Sequence, residues 1–168
     1  MTDPDAAERD ALILFLDAQR TSVLAIIDGL PEELLRARVL PSNWSPIGLV
    51  EHLGYAERHW FQEVMLGTAT DLPWPPDPPG SGPLETDHPT DEVFAFYREQ
   101  CRQSDRVLET TALSTAPAAT HEYDPVLAAQ TTDLRRIVLH VIEETARHAG
   151  HLDVVRELLD GRTGLGPR

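Results

Sequence analysis

The feature that most constrains this chain is its last long segment, where apolar residues recur every three or four positions between residues 132 and 161. That spacing places them on one face of an α-helix, which has about 3.6 residues per turn. We find no stretch with the alternation typical of a half-buried strand. The sequence therefore predicts an all-α fold. The apolar face consists of Leu134, Ile137, Val138, Val141, Ile142, Leu152, Val155 and Leu158.

Three further helices are predicted upstream of this segment. They cover about residues 6–28, 46–66 and 91–111, and each is bounded by glycine, proline or a capping residue. Ser45 followed by Pro46 is a start signal, since serine caps free amides and proline is tolerated in a first helical turn. We expect Thr90 to cap the third helix in the same way.

Proline determines the connections between these helices. Residues 73–89 contain seven prolines, so this segment is expected to be an extended link between the second and third helices. Residues 116–130 are expected to be irregular, with Pro117 and Pro125 as breakers. Four helices with one long connection predict a four-helix bundle, and a chain of 168 residues predicts one domain, 1–168.

The charge and cysteine content exclude several classes of protein. A net charge of −14 would repel nucleic acid and anionic membranes. No apolar run approaches the roughly 20 residues that span a bilayer, and the acidic N-terminus is unlike a signal peptide, so we expect a cytoplasmic protein. The single cysteine, Cys101, rules out an internal disulfide and a cysteine-rich zinc site.

The last helix carries a stripe of potential metal ligands. Its members are His140, Glu144, His148 and His151, at steps of four, four and three. At about 100° per residue they fall within roughly 80° of one helix face. Several ionisable groups on a packing face need a partner, and one cation can serve several at once.

Helix geometry limits which members of the stripe can share an ion. His140 and His148 are two turns apart, roughly 12 Å along the axis, and cannot bind the same ion. Glu144 with His148 is a feasible pair, and so is His148 with His151. The second helix offers His52 or His59 as a third ligand. Three protein ligands would leave coordination positions open, as in a catalytic site.

Two blocks resemble the signatures of the DinB-like superfamily, closest to its DUF664 branch. They are residues 44–61 (WSPIGLVEHLGYAERHWF) and residues 139–153 (LHVIEETARHAGHLD). The resemblance implies an antiparallel four-helix bundle that holds one divalent metal ion through His52, Glu144 and His148. Many relatives have histidine at the position of Glu144, so the identity of the ion is open. The donor set suits zinc first, and also nickel, manganese or iron.

The other histidines keep alternative roles. His151 follows His148 by one turn and is a candidate catalytic base, an additional ligand or a packing residue. For His140 we favour support of the ligands or a buried hydrogen-bonding role. His59 is expected at the polar rim of the site.

The resemblance also implies a function. Thiol-dependent relatives transfer or isomerise groups with a low-molecular-weight thiol, which in actinobacteria is mycothiol. All 14 basic residues are arginine, which fits a GC-rich source. The leading hypothesis is therefore a metal-dependent mycothiol S-transferase or isomerase that detoxifies small electrophiles. The alternatives are a hydrolase that uses metal-bound water and a non-enzymatic metal-binding stress protein. The resemblance leaves a homodimer open.

Overall fold

The computed structural model describes residues 4–68, 84–122 and 124–164. This part of the chain is helical throughout its regular structure and contains no strand, which confirms the predicted all-α class. The elements in chain order are α1 (Pro4–Ile27), α2 (Glu32–Leu35), α3 (Pro46–Glu57), a π-helix (Arg58–Met65), α4 (Thr90–Thr110), α5 (Pro125–Gln130) and α6 (Leu134–Asp160).

The start of α3 follows the predicted capping pattern. The Ser45 hydroxyl accepts a hydrogen bond from the amide of Gly48 at 3.2 Å, and Pro46 occupies the first turn. The end differs from prediction, because the α-helix gives way at Arg58 to eight residues of π-helix. A π-helix has a wider turn, so side chains further along it progressively leave the positions that α-helical spacing assigns to them.

Two other local predictions were wrong. Pro89, not Thr90, is the N-cap of α4, and the Thr90 hydroxyl instead donates to Glu32 Oε2 at 2.6 Å. Pro125 does not break a helix but begins α5, since proline is compatible with the first turn. The Asp124 carboxylate caps α5 by accepting from two of its amides. Most of the proline-rich link lies outside the described residues.

Two apolar clusters hold the helices together. One contains Ile26, Ile47, Leu53, Tyr97 and Leu152, and the other contains Leu16, Phe61, Leu108, Leu134 and Ile137. The main contacts pair α1 with α6 and α3 with α4, and α3 also contacts α6. That third contact brings His52 on α3 opposite the ligand stripe of α6.

Helix α6 has defined ends that fix the register of the stripe. The Asp133 side chain accepts from the amide of Arg136 at 2.9 Å, and Gly161 ends the helix in a left-handed conformation (φ 78°). Glycine adopts this conformation without steric cost. No described helix combines the length and the apolar character that crossing a bilayer requires.

Candidate metal centre

Three side chains from α3 and α6 meet between these helices. His148 Nε2 lies 2.9 Å from Glu144 Oε1, across one turn of α6. His52 Nε2 on α3 lies 3.4 Å from the same oxygen. The two imidazole rings stand edge to face with centroids 5.1 Å apart. His52 and His148 therefore each direct Nε2 at the Glu144 carboxylate.

These residues are the only described group of three or more histidine, cysteine or acidic side chains whose potential ligand atoms converge. One ligand atom from each of His52, Glu144 and His148 lies within 4.8 Å of the others. Metal–nitrogen and metal–oxygen bonds of about 2.0–2.2 Å to zinc would allow a shared ion at such separations. Two imidazole nitrogens and one carboxylate oxygen form a donor set that suits zinc and harder divalent ions.

The electrostatics of Glu144 also fit a cation at this point. Hydrogen bonds from His148 and His52 lower the pKa of Glu144 far below its usual value, which outweighs the opposing effect of burial. In the described part of the chain, its hydrogen-bond partners are these two imidazoles and no arginine. The carboxylate thus carries a negative charge without a permanent positive partner. A divalent cation would supply that charge, so the residues fit the metal that the family resemblance implies.

His148 lacks one feature that metal-binding histidines usually have. Its other ring nitrogen, Nδ1, is buried and has no hydrogen-bond partner among the described residues. A ligating histidine usually donates this N–H to a carboxylate or carbonyl, which fixes the ring. The His148 ring instead contacts the His52 and His151 rings edge to face, with centroids 5.1 and 5.5 Å away.

His151, the candidate catalytic base, lies beside the three residues but does not converge with them. Its ring centroid is 5.5 Å from that of His148 and 6.3 Å from that of Trp44. The residue is exposed to solvent. Its ligand atoms are not part of the converging group. Its position is compatible with a role at the outer edge of the site, and its catalytic role stays a prediction.

A cavity of about 290 Å³ adjoins His52 and Glu144, and it reaches His59 on the π-helix and His140 on α6. This volume is close to the lower limit for pockets that bind small molecules. Its lining residues are His52, Ala56, His59, Trp60, His121, Leu127, His140 and Glu144. The cavity therefore joins two of the candidate metal ligands, His52 and Glu144, to an aromatic and imidazole-rich wall.

His140 and His59 occupy that wall. The half-buried His140 ring meets the Trp60 indole edge to face at 4.7 Å, and the role expected for His140 stays a prediction. The expectation for His59 was wrong: it is only 8% exposed and is not at a polar rim. His59 comes seven residues after His52, so it lies on the same helix face and lines the same cavity between the helices.

Sequence reasoning missed a hydrogen-bonded chain in the same wall. His59 Nδ1 lies 2.8 Å from Glu63 Oε2, and His59 Nε2 lies 2.9 Å from His121 Nδ1. The four-residue step from His59 to Glu63 is visible in the sequence, although it is common on exposed helices. His121 lies in the segment between α4 and α5, and no local pattern could assign it to this place.

Comparison with known families agrees with the geometry. The family model described as mycothiol-S-transferase matches residues 11–161, and this range contains His52, Glu144, His148 and His151. No curated protein sequence matches the chain. Because the family model covers nearly all of the 168 residues, the chain belongs to the DinB-like mycothiol-S-transferase family.

Proposed function

We propose that this protein is a metal-dependent mycothiol S-transferase whose divalent ion is held by His52, Glu144 and His148. The observation that carries the proposal is the convergence of these three side chains within 4.8 Å, in a chain of the mycothiol-S-transferase family. The adjoining cavity gives the reaction a place where a small electrophile can meet the thiol.

We also propose that residues 1–168 form one domain with the antiparallel four-helix bundle of DinB-like proteins. The pairing of α1 with α6 and of α3 with α4 supports this arrangement, with those four helices as its members. Short connections such as that between α2 and α3 are compatible with one compact unit. A homodimer and a cytoplasmic location stay predictions from the sequence.

The chain's own residues would bind and orient the reactants. The bound cation would supply Lewis acidity that lowers the pKa of the thiol at neutral pH. Glu144 balances part of the ion's charge, while His52 and His148 fix the position of the ion between α3 and α6. Trp60 and Leu127 provide apolar surface to an electrophile in the cavity and exclude water from it. Zinc is the first ion to test, followed by nickel, manganese and iron.

The direct test measures thiol transfer by protein that has been stripped with chelator and reloaded with zinc. Mycothiol and an electrophile such as a bimane or an epoxide are the substrates, and the S-conjugate is the product to be quantified. We expect conjugate formation by the wild type and a loss of at least about 100-fold in Glu144→Gln, since carboxylate charge is removed from the ion.

The matched control is Glu143→Gln, which makes the same change one residue away. The Glu143 side chain is 68% exposed and pairs with Arg147 on the surface. This variant should keep wild-type activity and metal content. If the metal-loaded wild type gives no turnover with mycothiol, the transferase proposal is wrong. Turnover of an ester or amide without any thiol would instead favour the hydrolase.

A further inference from the structure

We propose that Glu63, His59 and His121 form a proton relay, in which His121 accepts the thiol proton and the other two residues position it. This inference rests on the proposed transferase function, for which it identifies His121 as the base. His59 and His121 lie in the wall of the cavity that His52 and Glu144 also line, and none of the three relay residues is a candidate metal ligand. Its residues come from the π-helix and from the segment that precedes α5.

The relay is an ordered chain and not a second metal site. Glu63 bonds to Nδ1 of His59, and His121 bonds to Nε2 on the other side of the same ring. The groups are therefore arranged in a line with His59 in the middle. A shared ion requires ligand atoms that point to a common centre. Such convergence is found in the described residues only at His52, Glu144 and His148.

Hydrogen-bond chemistry fixes the direction of the chain. Arg58 Nε donates to Glu63 Oε1 at 3.0 Å, which favours the ionised carboxylate. An ionised carboxylate only accepts, so His59 must donate through Nδ1–H. In the neutral ring, His59 Nε2 then carries a lone pair and accepts from His121 Nδ1–H. The neutral His121 ring consequently has its lone pair at Nε2, the nitrogen that can take a proton.

The fold holds His121 against this chain from several sides. The amides of Ala118 and Ala119 donate to the carbonyls of Met65 and Val64 at 3.1 and 3.0 Å. These bonds attach the segment that carries His121 to the last turn of the π-helix. The His121 ring also stacks on the Trp60 indole, with centroids 4.7 Å apart and planes 28° apart. The position of His121 is thus set by backbone and aromatic contacts.

His121 is suited to the role of a base in the cavity. It lines the same cavity as His52 and Glu144. Burial lowers the pKa of His121, and the nearby His59 and His140 lower it further, while Asp124 acts in the opposite direction. The ring is therefore neutral at physiological pH and available to accept a proton.

His121 both takes up and returns the proton during the transfer, so the reaction is balanced. The S–H bond of the thiol breaks, and its proton goes to Nε2 of His121. The thiolate sulfur forms a bond to carbon of the electrophile, for example an epoxide, and the C–O bond breaks with its electron pair on oxygen. The alkoxide then takes the proton back from His121. No oxidant, reductant or further reactant is needed.

The first test reads the tautomers without any activity assay. In zinc-loaded wild type, nitrogen-15 NMR of the imidazole rings should show the proton of His121 on Nδ1 and that of His59 on Nδ1. Glu63→Gln should release this preference and give mixed tautomers, because an amide can donate as well as accept. Glu122→Gln, an exposed neighbour of His121, should leave the wild-type pattern. A wild-type His121 protonated on Nε2 would overturn the relay.

The second test measures catalysis. His121→Ala should lower kcat by about 100-fold or more, in the range for general bases, with little change in KM for the thiol. Added imidazole should restore part of the rate, which a purely structural defect would not allow. His121→Gln provides a second variant that keeps the size of the side chain, and it should show the same loss without loss of metal.

The outcomes separate this inference from the proposed function. An active wild type with unchanged kcat in both His121 variants would overturn the relay alone. A kcat loss that imidazole does not restore would overturn the role as proton acceptor. A metal-loaded wild type without thiol transfer would overturn both the transferase and the base that serves it.

Discussion

Two of the carboxylates that lie between helices, Glu57 and Glu144, differ in their partners, because only Glu57 has a permanent cation beside it. Glu57, 1% exposed, accepts from Arg20 Nε at 2.7 Å and Nη2 at 2.8 Å. Glu144, whose side chain is 27% exposed, faces two imidazoles. The guanidinium of Arg20 is charged at any physiological pH, whereas an imidazole is charged only when it is protonated. The chain thus closes one carboxylate site internally and leaves the other able to receive an external cation.

We call the Arg20–Glu57 pair the closed site, and Glu144 with its two imidazoles the open site. The closed site is chemically inert. Arg20 also bonds to Asp105 Oδ1 at 2.7 Å and to Asp17 Oδ1 at 2.9 Å, so its donors are satisfied. Burial raises the pKa of the neighbouring Cys101 thiol to about 12, and the charge of Glu57 adds to this effect. A thiol with that pKa is a poor nucleophile at neutral pH. In this pair, the carboxylate without an arginine partner is the one whose oxygen converges with two imidazole nitrogens.

The largest effect that would test this contrast is expected from Arg20→Met. Removing the guanidinium leaves Glu57 buried without a cation, and breaking a buried pair in this way costs about 3–5 kcal/mol. Urea unfolding of the zinc-free protein would measure the free energy of unfolding. Arg20→Met combined with Glu57→Leu should recover part of the loss, because no uncompensated charge remains buried.

Equal losses in the single and double variants would contradict this account of the closed site. Chelator competition would measure the zinc affinity of the Arg20→Met protein, which should stay near the wild-type value. Loss of zinc together with stability would mean that the two carboxylate sites are coupled.

The second prediction concerns the open site, where the expected loss is in zinc affinity. Glu144→Gln should weaken zinc binding by at least about 100-fold, more than the 10–100-fold typical of losing an outer-shell partner. That factor corresponds to about 2.7 kcal/mol. Isothermal titration with zinc would measure it, with Glu143→Gln as the control. Wild-type zinc affinity in Glu144→Gln would break the contrast, because Glu144 would then need no cation.

The open site was largely accessible to sequence reasoning, for a physical reason. Glu144 and His148 lie on one regular α-helix, where a four-residue step implies neighbouring side chains. The sequence places His52 and His59 seven residues apart on one face of the second helix, and either could supply the third ligand. The resemblance to DinB-like proteins then selected these three residues among several feasible sets.

The closed site and the relay were not accessible in the same way. Glu57 and Arg20 are 37 residues apart on different helices, and nothing local links them. His59 shares a helix face with His52, but its hydrogen bond to His121 joins residues 62 positions apart in the sequence. The segment that carries His121 is positioned by backbone bonds to Val64 and Met65, which no periodicity encodes. These contacts depend on the tertiary fold.

The third prediction concerns the acid sensitivity of the zinc-free protein. Because the pKa of Glu144 is lowered in the fold, its contribution to stability is present above the usual value of 4.5 and is lost as the pH falls through the folded-state pKa. Wild type should therefore exceed Glu144→Gln in stability by about 2 kcal/mol above that value, the range for hydrogen bonds to a charged group. Urea unfolding across the acid range would measure the difference. A gap that widens on acidification would have the wrong sign.

The smallest effect is expected from Ser45→Ala, which tests whether stability and metal binding can be separated within one helix. Helix α3 carries both Glu57 and His52, and the Ser45 hydroxyl caps it by accepting from Gly48. Loss of such a cap costs about 1 kcal/mol. Zinc affinity should stay unchanged, since His52 lies in the second turn, where apolar packing of Ile47 and Leu53 holds the helix. Urea unfolding and zinc titration of the same preparation would measure stability and zinc affinity. A fall in zinc affinity that parallels the loss of stability would contradict this separation, because the open site would then depend on the start of α3.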